Sequence, residues 1–161
     1  VDLMSDESVR ARIKVSLWDE HAQARPRRTV ELDPAEALRL LGSTSLGRIV
    51  FTENALPAIR PVNHIVLDGD IIVRTHRGAA LAAHVQDTGM PGTVVAYEAD
   101  DIDPRTHLGW SVVVTGFSRL VTDPIELETY RNSLMPWVDR VMDCVVHIHP
   151  EIITGVRLVL R

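Results

Sequence analysis

Two short stretches carry residue types that could do chemistry. Arg60-Pro61-Val62-Asn63 joins a guanidinium, a residue without a backbone N–H, and a carboxamide. Arg74-Thr75-His76-Arg77-Gly78 reads as a strand end running into a helix over 79–86, and offers two guanidinium forks and a hydroxyl. This second stretch suits an anion. Thr75 donates a hydroxyl, Arg74 and Arg77 give charge-assisted bonds, and the first amides of the helix point at the same place, as a phosphate seat requires. Pro61 cannot occupy an ordinary central ladder position, so its strand is expected to have an open edge or a bulge there. Main-chain groups beside it could bond a planar ligand, with Asn63 adding a donor and an acceptor. The competing reading makes the arginines surface residues and Pro61 the mark of an edge strand; on the residues alone the two carry similar weight.

Other constellations are weaker. Gly42 and Gly47 have the spacing of a phosphate-binding P-loop, but Arg48-Ile49 stands where lysine and a hydroxyl residue are needed. The glycines are read as helix-cap and strand-entry residues. Gly-x-Gly-x-x-Gly, His-Glu-x-x-His and Gly-x-Ser-x-Gly are absent, which removes the minimum parts of nicotinamide-Rossmann, zincin and α/β-hydrolase sites. His147 and His149 lie two apart and share a strand face, while Cys144 turns to the other face with Val146 and Ile148. With no third ligand evident nearby, the histidines read as solvent-facing and Cys144 as a small core residue. Asp100, Asp101 and Asp103 read as a solvated acidic turn, since the glycine and closing glutamate of a calcium loop are missing. No metal is expected.

These residues must be positioned by a frame, and the pattern predicts one. Val9, Ile13 and Leu17 form the narrow apolar seam of an amphipathic helix over 6–24, in an N-terminal extension spanning 1–29 that ends in the basic link RPRRT. Residues 30–161 form the main domain. Asp33-Pro34-Ala35-Glu36 is a helix start with a capping aspartate and proline in the first turn; the helix runs to Leu41, with Gly42 as a left-handed cap. Strands are expected over 46–53, 58–68, 71–75, 92–100 and 109–121, with turns at Asn54-Ala55-Leu56-Pro57 and Asp68-Gly69-Asp70. Asp123-Pro124-Ile125-Glu126 opens a second helix to about Leu134, and CVVHIHP and ITGVRLVL close the chain as two strands. The fold class is α+β, mainly β, an antiparallel barrel with helical decoration.

Composition sets the outer limits. The 161 residues fit one main domain, and 17 basic against 22 acidic residues leave a net charge of −5, which disfavours nucleic acid or an anionic membrane as partner. No apolar run reaches the roughly 18 residues of a membrane span, and the start VDLMSDESVR is too acidic and polar for a signal peptide. A single cysteine makes no internal disulfide, and the expected compartment is the cytoplasm.

The ordered segments GRIVFT, LPAIRPVNH, DGDIIVRTHRG, VVAYEADDIDP, GWSVVVTGFSRLV, DPIELETYR and PWV resemble the pyridoxamine-5′-phosphate-oxidase-related, FMN-binding split-barrel family, particularly its actinobacterial members. The resemblance covers about residues 30–160. It implies a six-stranded antiparallel split barrel of Greek-key type, forming a homodimer with two flavin sites at the subunit interface. It implies that Arg60, Pro61, Val62 and Asn63 line the isoalloxazine. Arg74, Thr75, Arg77 and Gly78 would hold the phosphate end, with support from Ala80 and Leu81. Trp110 and Ser111 would approach the flavin from the partner subunit; Trp110 reads equally as a barrel-core or interface aromatic. The implied function is a flavin-dependent oxidoreductase with FMN or the deazaflavin coenzyme carrying the hydride, substrate unspecified. The alternative is a non-catalytic cofactor-binding or redox-sensing dimer. Members that oxidise pyridoxamine phosphate end in Arg-Leu-x-Pro, whereas Arg157-Leu158 here leads to Val159-Leu160-Arg161, which counts against the vitamin-B6 reaction.

Overall fold

The structure, a computed structural model, describes residues 26–75, 92–134 and 144–161. The expected helix over 6–24 and the helix following Arg77 lie outside the described residues. The elements are β1 (Arg27–Glu31), α1 (Pro34–Leu41), β2 (Leu46–Glu53), β3 (Leu56–Leu67), β4 (Asp70–Thr75), β5 (Thr93–Asp103), β6 (Leu108–Leu120), α2 (Pro124–Ser133) and β7 (Cys144–Leu160). No helix among them is long and apolar enough to cross a membrane.

The strands form one antiparallel sheet of seven in the order β1-β7-β4-β3-β2-β5-β6, and a further pairing of β6 with β7 closes it into a barrel. The resemblance implied six strands. The additional one is β1, which pairs with the C-terminal end of β7, Arg27 opposite Leu160 and Glu31 opposite Val156. It includes three residues of the stretch read as a basic link. The C-terminal region is also one strand, not two. Pro150, which suggested a break, is accommodated by a β-bulge: Gly116 opposes Pro150 and Thr115 opposes Ile152, leaving Glu151 unpaired. Gly116 is required there, since a Cβ would overlap the His149 carbonyl.

Alternation explains the core. Gly47, Ile49 and Phe51 of β2, Val95, Tyr97 and Ala99 of β5, and Trp110, Val112 and Val114 of β6 point inward in period two. They meet Ile71 and Val73 of β4, Val146 and Ile148 of β7, and Ala37, Leu40 and Leu41 of α1. Helix α1 begins as expected, with Asp33 accepting from the Glu36 amide at 3.0 Å. Its cap differs from expectation: Gly42 is right-handed, with φ −70°. Glycine serves there by letting the chain pass close to Val66, whose Cβ would lie 3.3 Å from an added Cβ. Helix α2, capped by Asp123, lies on the outer face, where Leu127 and Tyr130 pack on Ile72, Val121 and Val145.

Both hairpins that flank β3 turn on two residues, with Glu53 opposite Leu56 and Leu67 opposite Asp70. Their central residues all have positive φ, namely Asn54 at 50°, Ala55 at 62°, Asp68 at 52° and Gly69 at 89°. Ala55 is the poor fit, because its Cβ makes the left-handed region unfavourable by about 1–2 kcal/mol. Ala55→Gly is therefore expected to stabilise the fold by roughly 1 kcal/mol, read as a rise of about 2–4 °C in Tm.

Candidate functional site

Strand β3 changes neighbours along its length. Residues 56–63 pair with β2, while His64 to Leu67 pair with β4. Strand β4 continues past the last pair, His64 opposite Val73, as Arg74 and Thr75, which as strand residues pair with β7 at Val145 and Cys144. The two strands fork at His64 and Val73. The walls of the fork are Arg60–Asn63 and Arg74–Thr75, the two stretches that the residue types had singled out. Among the described residues no strand covers the β3 edge beside Pro61, which is the open edge that its missing N–H called for.

Alternation divides the fork into two faces. Arg60 pairs with inward-facing Ile49 and so sits on the interior face, yet it is exposed because the barrel is open there. Its guanidinium donates to the Ile59 carbonyl at 2.8 Å and lies 3.5 Å from the Glu53 carboxylate. Thr75 is also interior and buried, opposite Cys144. Pro61 and Asn63 take the outer face, Pro61 exposed opposite Arg48 and Asn63 buried. Arg74 is outward too, and its guanidinium donates to the Leu134 carbonyl at 2.9 Å and the Arg131 carbonyl at 3.4 Å, closing the C-terminal end of α2. The fork thus brings Arg60 and Thr75 onto one face and turns Arg74 towards α2. Arg77, Gly78, Ala80 and Leu81 lie outside the described residues. Trp110 is buried in the barrel core. Ser111, beside it, is half-buried on the outer face; β6 neighbours β5 and β7, so neither residue reaches the fork of its own chain.

Beneath the fork is a hydrogen-bonded set that sequence reasoning passed over. His64, buried, donates from Nε2 to the Leu41 carbonyl at 2.9 Å and accepts at Nδ1 from the Tyr97 hydroxyl at 2.7 Å. That pattern requires the neutral ring, and burial lowers the His64 pKa from its ordinary value. Burial likewise pushes the Tyr97 phenol up, so it remains a donor. Gly47 is glycine because the Tyr97 hydroxyl lies over it: a Cβ would overlap the phenol and come within 2.7 Å of the Glu98 carbonyl. Gly47, His64 and Tyr97 are far apart in the chain, and no local spacing signals their contact.

The histidines of β7 have a partner that was not foreseen. Asp70 accepts from His147 Nε2 at 2.9 Å and from His149 Nδ1 at 2.7 Å. The described residues contain no group of three placed to hold a metal. Arg157, the residue after which the C-terminal signature departs, is ion-paired with Glu36 of α1 at 2.7 Å. Arg39 first and Arg157 second hold the Glu36 carboxyl down at about 2.

The fold and the fork can be set beside known proteins. The sequence profile of the pyridoxamine 5′-phosphate oxidase family matches residues 33–157, more than half of the chain, and the chain belongs to that family. The uncharacterized protein Rv0080 of Mycobacterium tuberculosis is 56% identical over 133 residues, covering 83% of this chain and 88% of that one. Among solved structures, a Corynebacterium glutamicum protein provisionally named a pyridoxamine 5′-phosphate oxidase is 33% identical with a TM-score of 0.68, covering 83% of this chain and 95% of that chain. The FAD binding protein of Mycobacterium smegmatis is 36% identical with a TM-score of 0.65, covering 80% of this chain and 97% of that chain.

The His64 set gives two expected outcomes. Tyr97→Phe leaves the Nδ1 acceptor of His64 buried without its donor and should cost about 1–3 kcal/mol in denaturant unfolding. His64 stays neutral in the folded chain, whereas in the unfolded chain it takes up a proton near 6.5. Its contribution to stability is thus complete above that pH and is lost as pH falls below it. Urea unfolding of the native chain and His64→Gln, between pH about 7.5 and about 5.5, should show the smaller acid loss in the variant.

Proposed function

We propose that this chain binds a flavin at the fork between β3 and β4 and uses it as an oxidoreductase, working as a cytoplasmic homodimer. The observation that carries the reading is the fork itself: two stretches on the consecutive strands of one hairpin, one with an open strand edge and one suited to phosphate, face each other in a chain 36% identical to a FAD binding protein. The residues fit such a group. The free edge by Pro61 gives a planar ring main-chain partners, and Thr75 together with the following Arg77 and Gly78 suits the phosphate end. Arg60, exposed on the interior face with a carboxylate only at 3.5 Å, is available to face the pyrimidine side of the ring, where reduction gathers negative charge. A bound flavin would supply hydride transfer; the chain supplies orientation and charge. FMN is the expected form and the deazaflavin coenzyme the alternative.

The dimer is supported by the outer sheet face. Strand registers place Ile59, Val50, Ala96, Thr115 and Ile152 in one row across β3, β2, β5, β6 and β7. Ile59 and Ile152 at its ends are exposed and the three between them half-buried, and Val94, Val113 and Phe117 stand exposed beside it. A row of this kind is more apolar than a monomer's surface needs to be. Phe117→Arg combined with Ile152→Arg should shift the protein to monomer in sedimentation; an unchanged dimer would place the interface elsewhere.

The test of the cofactor is a visible spectrum of the purified protein, with mass spectrometry of whatever heat releases. A flavin band with FMN released is the expected result; a colourless protein that takes up neither FMN nor deazaflavin would overturn the reading. A flavin that passes electrons to no acceptor in a broad panel would favour the non-catalytic, redox-sensing alternative. Thr75→Ala with Arg77→Ala should weaken FMN by roughly tenfold or more and riboflavin far less, because only FMN loses charge-assisted bonds. Equal losses would mean that the phosphate lies elsewhere.

A further inference from the structure

A groove of about 440 Å³ runs between the β1–α1 link and strands β6 and β7. Its volume is within the range of roughly 300–1,000 Å³ typical of small-molecule sites. Leu32, Val113, Ile153 and Val156 give it apolar walls, and Gly155 also lines it. Gly155 turns its missing side chain inward, where an added Cβ would lie 3.0 Å from Leu32, 3.2 Å from Val112 and 3.3 Å from Ala37, so the link and α1 pack close against β7 beside the groove. Three side chains bring polarity: the Ser111 hydroxyl, the Thr154 hydroxyl and the Glu31 carboxylate. Thr154 is already committed, donating to the Val113 carbonyl at 3.3 Å.

Charge is what selects the occupant. Glu31 is the one charged group among the groove's lining residues, and none of the ion pairs among the described residues involves it. The nearest arginine in sequence on β7, Arg157, does not line the groove and is held by Glu36 at 2.7 Å. An apolar trough with a single carboxylate at its edge repels anions and rewards a cation that can bury its hydrocarbon part.

We infer that this groove is a substrate pocket for a small, largely apolar molecule bearing a positively charged nitrogen, which the Glu31 carboxylate receives. The assignment as substrate pocket rests on the flavin reading, through Ser111, which lines the groove and by the family resemblance would approach the flavin held by the partner subunit. The cation preference rests on the groove alone. It also gives the missing C-terminal arginine signature a positive counterpart: the groove has no lining group for a substrate phosphate and one that opposes it.

The experiment uses the full chain and three probes of one shape, benzylammonium, benzyl alcohol and benzoate, with binding read by ligand-observed NMR and calorimetry. Benzylammonium is expected to bind about tenfold more tightly than benzyl alcohol, benzoate more weakly than either, and Glu31→Gln to abolish the difference. Glu31 is exposed at a strand end, so its variant is expected to fold, and a second variant, Val156→Arg, should also lose the cation by placing positive charge opposite Glu31 on the groove wall. Equal binding of the three probes, binding of none, or a cation preference that survives in Glu31→Gln would overturn the proposal. FMN titration of the same samples separates the two readings. Flavin uptake without cation preference removes the groove, and cation preference without flavin uptake removes the flavin site while leaving a cation groove of another purpose.

Discussion

One buried imidazole holds the open part of this barrel together. His64 stands at the point where β3 leaves β2 for β4, and its two nitrogens tie that point to the end of α1 and to the centre of β5. A strand that changes neighbours loses ladder bonds on one side, and the main-chain groups released must face water, a ligand or another segment. The fork can stay open because its closed end is fixed from below by buried groups that are hydrogen-bonded to one another and to α1. No buried side-chain polar atom among the described residues lacks a partner. The arrangement is costly to disturb, since each member of a buried polar chain leaves another unsatisfied when removed. It also dictates Gly47, whose missing side chain makes room for the phenol.

Around that point the barrel is arranged by one long strand. β7 has β6 along one edge and, on the other, β4 near its start and β1 near its end. The outer surface of β4 and β7 is covered by α2, clamped at one end by Arg74 and along its side by the Arg119 pair with Glu126 at 2.5 Å. Arg74 therefore connects the wall of the fork to the helix behind it. Any change in how that wall is held is felt by α2, which buries few residues of its own.

Much of the frame was legible because it is local. Both helix starts follow from an aspartate, a proline and a glutamate at fixed offsets, and β2 follows from apolar alternation bounded by turn residues. Pro61 marked an open edge through its missing donor alone. What escaped was non-local. Pro150 breaks a strand in any reading confined to its neighbours, and only the glycine opposite it on β6 allows continuity. Trp110 could be read as ligand-facing or core; register with Asp101 and Arg157, set by the whole sheet, places it in the core. The grouping of Arg74 and Thr75 as one anion seat overlooked that adjacent strand residues point apart. The Asp70 partner of His147 and His149 lies on a strand distant in sequence, beyond any spacing rule.

The unpaired Glu151 has an effect that reaches the end of the chain. Before it, even-numbered residues of β7 face inward, Val146 and Ile148 among them; after it, the odd-numbered Ile153 and Gly155 oppose inward-facing Val114 and Val112. One supernumerary residue inverts the phase of everything downstream, so that Gly155 meets α1 and Arg157 meets Glu36. Had Glu151 paired with Thr115 in a regular ladder, Thr154 and Val156 would press on the helix and Arg157 would stand in solvent. The bulge at Glu151 is thus as binding for this fold as any side chain: it lets a strand that enters on one phase leave on the other, and the residues after it meet the helix with the faces they have because one residue stands outside the ladder.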